Sequence, residues 1–218
     1  MSSLGRLEAV CLAHPVLKVV PGHVGLSAID KRPTSEPVTV TTLGLRGDIQ
    51  CDRAHHGGVD KAIYAMDARE FTYWERELDT ELPSGVFGEN LRIDSSSEWG
   101  IDDAEIGERW QIGGVRVEVT GPRNPCATFA HHMGEERWVR RFRDHGRPGV
   151  YLKVVEPGQV RVGDDVTLVD RPGHGVSVAS WFAEPTPDKA RAVLSMHDSG
   201  AITVAHYTLK YLIAAVHR

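Results

Sequence analysis

At 218 residues, with 41% apolar and 25% charged side chains, the chain has material for one large domain, or a medium domain with a small appendage. Twenty-five basic and 30 acidic residues give a net charge of −5, and no basic stripe interleaves with aromatics, so nucleic acid is not an expected partner. Cys11, Cys51 and Cys126 are odd in number and widely spaced, which argues against a disulfide framework and for a reducing, cytoplasmic setting.

The first apolar run, Ala9 to Leu12, is broken by His14 and Pro15 and is too short for a signal core or a membrane span. Residues Met1 to Pro37 read as mixed strand and loop, Thr39 to Leu43 as β-prone, and Gly44-Leu45-Arg46-Gly47-Asp48 as a turn. A polar loop runs on through Gly57-Gly58, and Ile63 to Met66 has the composition of a buried strand. Asp67 then opens a helix, with Glu70 three residues on in the manner of a capping box. Phe71, Trp74 and Leu78 recur at i, i+3 and i+7 and give that helix a core face; Pro83 and Gly85 end it.

From Ile106 the pattern turns to β. Arg109 to Ile112, the pair Gly113-Gly114 and Val115 to Thr120 predict a hairpin, with Val115, Val117 and Val119 on one face. Trp138, Val139 and Phe142 suggest one amphipathic helix, and Val150 to Val155, Pro157-Gly158 and Val160 to Val169 a strand, turn and strand, with a further turn at Gly163-Asp164. After Pro172 three short helices are expected, Val178 to Ala183, Ala190 to Met196 and Ile202 to Val216. Strands first and helices last argue for an α+β protein: a mostly β, barrel-like core over residues 1–172 and a small helical appendage over 173–218.

Four polar clusters carry the chemistry. In Gly121-Pro122-Arg123-Asn124-Pro125-Cys126 two prolines force the chain off the strand, so Cys126 is expected on a rigid loop at a sheet edge. Arg123 there is a cation able to favour its thiolate, although a buried structural cysteine has the same sequence signature. Asp52-Arg53-Ala54-His55-His56-Gly57-Gly58-Val59-Asp60-Lys61 is either a solvated hairpin loop or a flexible loop in which His56 or Lys61 donates a proton. Phe87-Gly88-Glu89-Asn90-Leu91 offers an amide suited to a heterocycle edge, or is an ordinary turn. Arg147, in Gly146-Arg147-Pro148-Gly149, either grips a phosphate or carboxylate or is an exposed charge before a strand. No P-loop, dinucleotide fingerprint, G-x-S-x-G, H-E-x-x-H or C-x-x-C occurs, so the chain carries no electron-transfer module that its motifs reveal.

Together with Ile29-Asp30-Lys31-Arg32-Pro33 and Gly44-Leu45-Arg46-Gly47-Asp48, these clusters resemble in order the MOSC domain proteins of the YiiM type, which carry a C-terminal three-helix extension. The resemblance runs from about Ser27 to the C-terminus. It implies a molybdenum cofactor, a pterin dithiolene holding the metal, with Cys126 as a protein thiolate ligand; thiolate is a soft donor suited to such a metal. It also implies Lys31, Arg53, Asn90, Arg123 and Arg147 around the pterin and its phosphate, His56 and Lys61 as catalytic proton donors, and Glu89 at the cofactor, orienting one of them. The activity implied is reduction of N-hydroxylated compounds, such as hydroxylaminopurines and hydroxylamines, to amines, with electrons from a separate reductase. The residues after the cysteine, Ala127-Thr128-Phe129, lack the lysine often found there, which bears on substrate preference. Other readings of the same residues are a zinc protein using Cys126 with His131, His132, His55 or His56, a cysteine-nucleophile hydrolase with Cys126 activated by His56, and a non-catalytic carrier of the cofactor or its sulfur.

Overall fold

In the computed structural model, residues 2–21, 25–51, 57–96 and 98–217 are described, and Arg53, His55 and His56 fall outside them. The N-terminal half supplies β1 (Ser3–Ala13), β2 (Lys18–Val19), β3 (Leu26–Ser27), β4 (Lys31–Thr34), β5 (Val38–Thr41), β6 (Gly44–Leu45), β7 (Ile63–Asp67), α1 (Ala68–Leu78) and β8 (Leu91–Ser95). There follow β9 (Arg109–Ile112), β10 (Val115–Pro122), α2 (Ala127–Met133), α3 (Trp138–His145), β11 (Val150–Glu156), β12 (Gly158–Val160) and β13 (Asp165–Asp170). Three helices end the chain: α4 (Val178–Ala183), α5 (Pro187–Asp198) and α6 (His206–Val216).

Seven strands close on themselves in the order β13-β9-β10-β11-β7-β8-β1, with β1 pairing back onto β13, and β4 adds to the far end of β1. Closure removes the free edges that an open sheet would expose. All pairings in the barrel are antiparallel except β7 with β8, and α1 lies in the connection that this parallel step requires. The expected hairpin is present, with Val115 opposite Ile112 and Val117 opposite Trp110 around Gly113-Gly114. Period-two alternation fills the interior: Leu7, Ile63, Ala65, Leu91, Ile93, Trp110, Ile112, Val117, Val119, Leu152 and Val166 share one cluster. Each large side chain so buried contributes about 1.5–3 kcal/mol.

Strand β7 is buried along its whole length because both its faces are covered. Ile63 and Ala65 point into the barrel, while Tyr64 and Met66 join a second, aromatic cluster with Phe71, Trp74, Phe87, Phe129, Trp138 and Phe142. That cluster seats α1, α2 and α3 against the outside of the barrel. Asp67 caps α1, accepting from Arg69 N at 3.0 Å, but the expected capping-box partner Glu70 instead pairs with His145.

The segment Met1 to Pro37 is mixed strand and loop as expected, with β1 its longest strand, and three other local expectations change. Strand β10 runs through Pro122, two residues past Thr120, and Cys126 stands at the N-cap of a short helix, α2, that the sequence pattern does not announce. The stretch from Val160 to Val169 divides at Gly163: β12 leaves the barrel to pair with β5, and β13 pairs with β9 and β1. Three C-terminal helices form as expected, although α5 already starts at Pro187 and α6 only at His206, and they pack on the barrel, with Val178, Trp181, Ala190, Val193, Leu212 and Ala215 in the barrel's own core cluster. None of the described helices is long and apolar enough to cross a membrane.

Candidate functional site

Loops at one end of the barrel surround a cleft of about 280 Å³. Lys61 reaches it from a 3-10 turn, Val59–Lys61, immediately before β7; Tyr64 and Tyr151 come from the outward faces of β7 and β11. Arg123 follows β10, Cys126 starts α2, Lys31 begins β4 and Asn90 precedes β8. Cys51, Asp48 and Phe87 also line the cleft. Five of the residues singled out in the sequence, Lys31, Lys61, Asn90, Arg123 and Cys126, are thus brought to one cavity from positions nearly a hundred residues apart.

Asp48 organises one wall. Its carboxylate, with 6% of the side chain exposed, accepts from Lys31 Nζ at 2.5 and 2.6 Å, from Asn90 Nδ2 at 2.8 Å and from Ala13 N at 2.9 Å. Charge-assisted bonds of this kind hold both partners in place. Asn90 also accepts from Tyr64 N at 3.2 Å and donates to Cys11 O at 3.3 Å, so its amide stitches β7 to β1 beneath the cleft.

Arg123 is a buried residue of the same lining. Its guanidinium lies 3.9 Å from the Phe129 ring centroid and 5.7 Å from that of Tyr64, and donates to Asn124 O at 3.0 Å. Arginine tolerates this because it packs flat on aromatic faces while remaining charged. Burial pushes the Tyr64 and Tyr151 phenols up, so both rings present neutral hydroxyls. Lys61 Nζ sits over two tyrosine rings, 4.2 Å from the centroid of Tyr207 and 5.5 Å from that of Tyr151.

Glu89 is fully buried but outside the lining. Its carboxylate accepts from Gly85 N and from Phe87 N at 3.1 Å, and burial raises it to about 7 against the pull of those donors. Its described bonds therefore shape its own loop and do not reach Lys61. Arg147 is not brought to the cleft: it pairs with Asp103 at 3.4 Å. The backbone beside it has the supporting role, Pro148 O accepting from the Tyr64 hydroxyl at 2.8 Å and Gly149 N donating to Asp102 at 2.8 Å. Arg53 and His56 lie outside the described residues.

Sequence reasoning passed over Asp48, which it read as the end of a turn, and Tyr64 and Tyr151, which it read as strand residues. The alternation of β7 and β11 carries a signal for the two tyrosines, since both fall out of phase with the barrel interior. Nothing in the sequence connects Tyr207 with Lys61. Burial and then Glu89 push the Cys11 thiol far above its usual range, which suits a packing residue. Among the described residues no group of three or more His, Cys, Asp or Glu is placed to hold a metal ion. His132, near Cys126 in sequence, bonds Val86 O at 2.9 Å, and His131 is exposed.

Comparison with known proteins gives a consistent picture. The model of the MOSC domain matches residues 52–167. The uncharacterized protein YflK of Bacillus subtilis is 33% identical over 70% of this chain and 67% of its own length, and protein YiiM of Escherichia coli is 30% identical over 66% and 65%. A protein named reductase from Gibberella moniliformis is 29% identical over 67% of this chain but only 26% of its own length. Among solved structures, that of YiiM from Geobacillus stearothermophilus superposes with a TM-score of 0.75 at 24% identity, covering 96% of this chain and 98% of the other, a likeness of fold.

Proposed function

Because the chain belongs to the MOSC domain family, we propose that its cleft binds a molybdenum cofactor through the Cys126 thiolate and reduces N-hydroxylated compounds to amines. The observation that carries this reading is the convergence on one cavity of a half-exposed thiol, a buried arginine and two lysines. That donor set fits the group: one soft ligand for a sulfur-bound metal, and fixed cations for an anionic phosphate. The fungal relative named reductase points the same way on reaction class.

When bound, the cofactor supplies the two-electron redox chemistry at the N–O bond. The chain's own residues do the rest. Cys126, held at the start of α2, anchors the metal side, and Arg123 and Lys31 receive the anionic and polar periphery of the pterin. Breaking one N–O bond to amine and water takes up two electrons and two protons. The electrons come from a separate reductase, since the chain carries no recognised electron-transfer motif. Lys61, which lines the cleft, is the proton donor, and His56 is assigned the same role.

The test is turnover of a hydroxylamine by cofactor-loaded protein with an artificial electron donor. Wild type is expected to produce amine. Lys61→Ala should retain the metal and lose about 10²-fold in rate, the scale of one general acid. Metal binding without amine production in the wild type would make the protein a carrier and overturn the reductase reading.

A further inference from the structure

We propose that Tyr207, carried by the C-terminal helix α6, is a positioning residue for Lys61, so that the helical appendage supports a cleft-lining residue from behind. The proposal rests on the reading of Lys61 as proton donor and names the part of the molecule that aims it.

The Lys61 ammonium lies over the face of Tyr207, 4.2 Å from its centroid, and at 5.5 Å from Tyr151. The two rings meet edge to face, with centroids 6.3 Å apart and planes at 88°. An ammonium is drawn to the negative face of a ring, so this box fixes direction as well as distance. A four-carbon side chain has many rotamers, and contact with the two rings narrows the choice.

Tyr207 is itself held by the strand that leads to Cys126. The Thr120 hydroxyl lies 2.7 Å from Asp60 O, 3.0 Å from Tyr151 O and 3.0 Å from the Tyr207 hydroxyl. It has one proton, shared between the two carbonyls, and accepts from the phenol, so one side chain sets the Tyr207 hydroxyl beside the backbone of Tyr151 and of the residue before Lys61. The next residue of α6, Thr208, donates to Thr120 O at 2.6 Å. Gly121 makes room for this contact. Its φ of 148° favours glycine, and a Cβ there would stand 2.7 Å from Thr208 Oγ1 and 3.1 Å from the Tyr207 hydroxyl. The glycine that opens the cysteine-bearing loop is thus the one on which α6 docks. Burial keeps the Tyr207 phenol protonated, which maintains it as a neutral donor.

The experiment needs no molybdenum. Protein labelled with 13C at lysine Cε, with the Lys61 resonance assigned through Lys61→Arg, should show Lys61 Hε shifted upfield by the rings. Nuclear Overhauser contacts from Lys61 Hε to the Tyr207 ring are expected in the wild type. Tyr207→Phe keeps the ring and the shift, whereas Tyr207→Leu removes the larger part of the shift and moves the resonance toward the position of exposed lysines. In loaded enzyme Tyr207→Leu should lower kcat about tenfold with KM within about twofold, and Tyr207→Phe should restore most of it. Absence of the contact in the wild type, which requires no variant to fold, overturns the proposal. So does a Lys61 resonance that keeps its wild-type position in folded Tyr207→Leu. If the contact is present but the loaded wild type produces no amine, the proton-donor reading fails and the structural pairing stands.

Discussion

Asp102 is fully buried where the 3-10 turn Ile101–Asp103 meets β11. One carboxylate oxygen accepts from Gly149 N at 2.8 Å, and the other finds no hydrogen-bond partner among the described residues. Burial, and then the charge of Glu70, raise it from its ordinary 3.8 to about 8, against the Gly149 bond and Arg147, so the folded protein keeps a proton that the unfolded chain releases. Native protein then binds more protons than unfolded protein between about pH 4 and pH 8, and stability falls as pH rises through that window. Asp102→Asn, which cannot ionise, should flatten the fall in melting temperature between pH 5 and pH 8. Parallel pH profiles for wild type and variant would remove Asp102 as the source. At the cleft the residue scale explains what the sequence left unread. Asp48 looks like any turn aspartate until folding brings Lys31 and Asn90 onto it.

Among the elements, the join between β10 and α6 is the one most exposed to a single substitution. Gly121→Ala places a Cβ against Thr208 in a backbone conformation that alanine rarely adopts, and should cost about 1–3 kcal/mol. The check is the urea midpoint, expected to drop at constant slope; an unchanged midpoint would show that α6 does not dock where the structure places it. Elements were legible where local pattern and tertiary environment agree. The β9–β10 hairpin announces itself by period-two valines and a Gly-Gly turn, and α1 by Asp67 and its aromatic stripe. Helix α2 gives no such signal, because only one of its seven residues, Phe129, is fully buried. Strand β1 hides for a related reason. It bends through two register shifts, between Ser3 and Gly5 and between Leu7 and Ala9, so a strict alternation never builds up along it.

At the level of the whole molecule, a closed barrel and an aromatic cluster outside it hold the cleft between them. Tyr64 and Met66 project from β7 into the aromatic cluster while Ile63 and Ala65 fill the barrel, so the wall of the site is rigid from both sides. The barrel class and the terminal helices could be read from the order of patterns along the chain. The contact of the last helix with Lys61 could not, since it joins positions nearly 150 residues apart and leaves no periodicity behind. The central claim is that Cys126 ligates a molybdenum centre in this cleft. Elemental analysis of protein purified from a cofactor-competent host tests it most directly, with Cys126→Ser measured alongside. Near-stoichiometric molybdenum in the wild type, falling to background in a variant of unchanged melting temperature, is the expected result; equal molybdenum in both proteins, or zinc in its place, would contradict it.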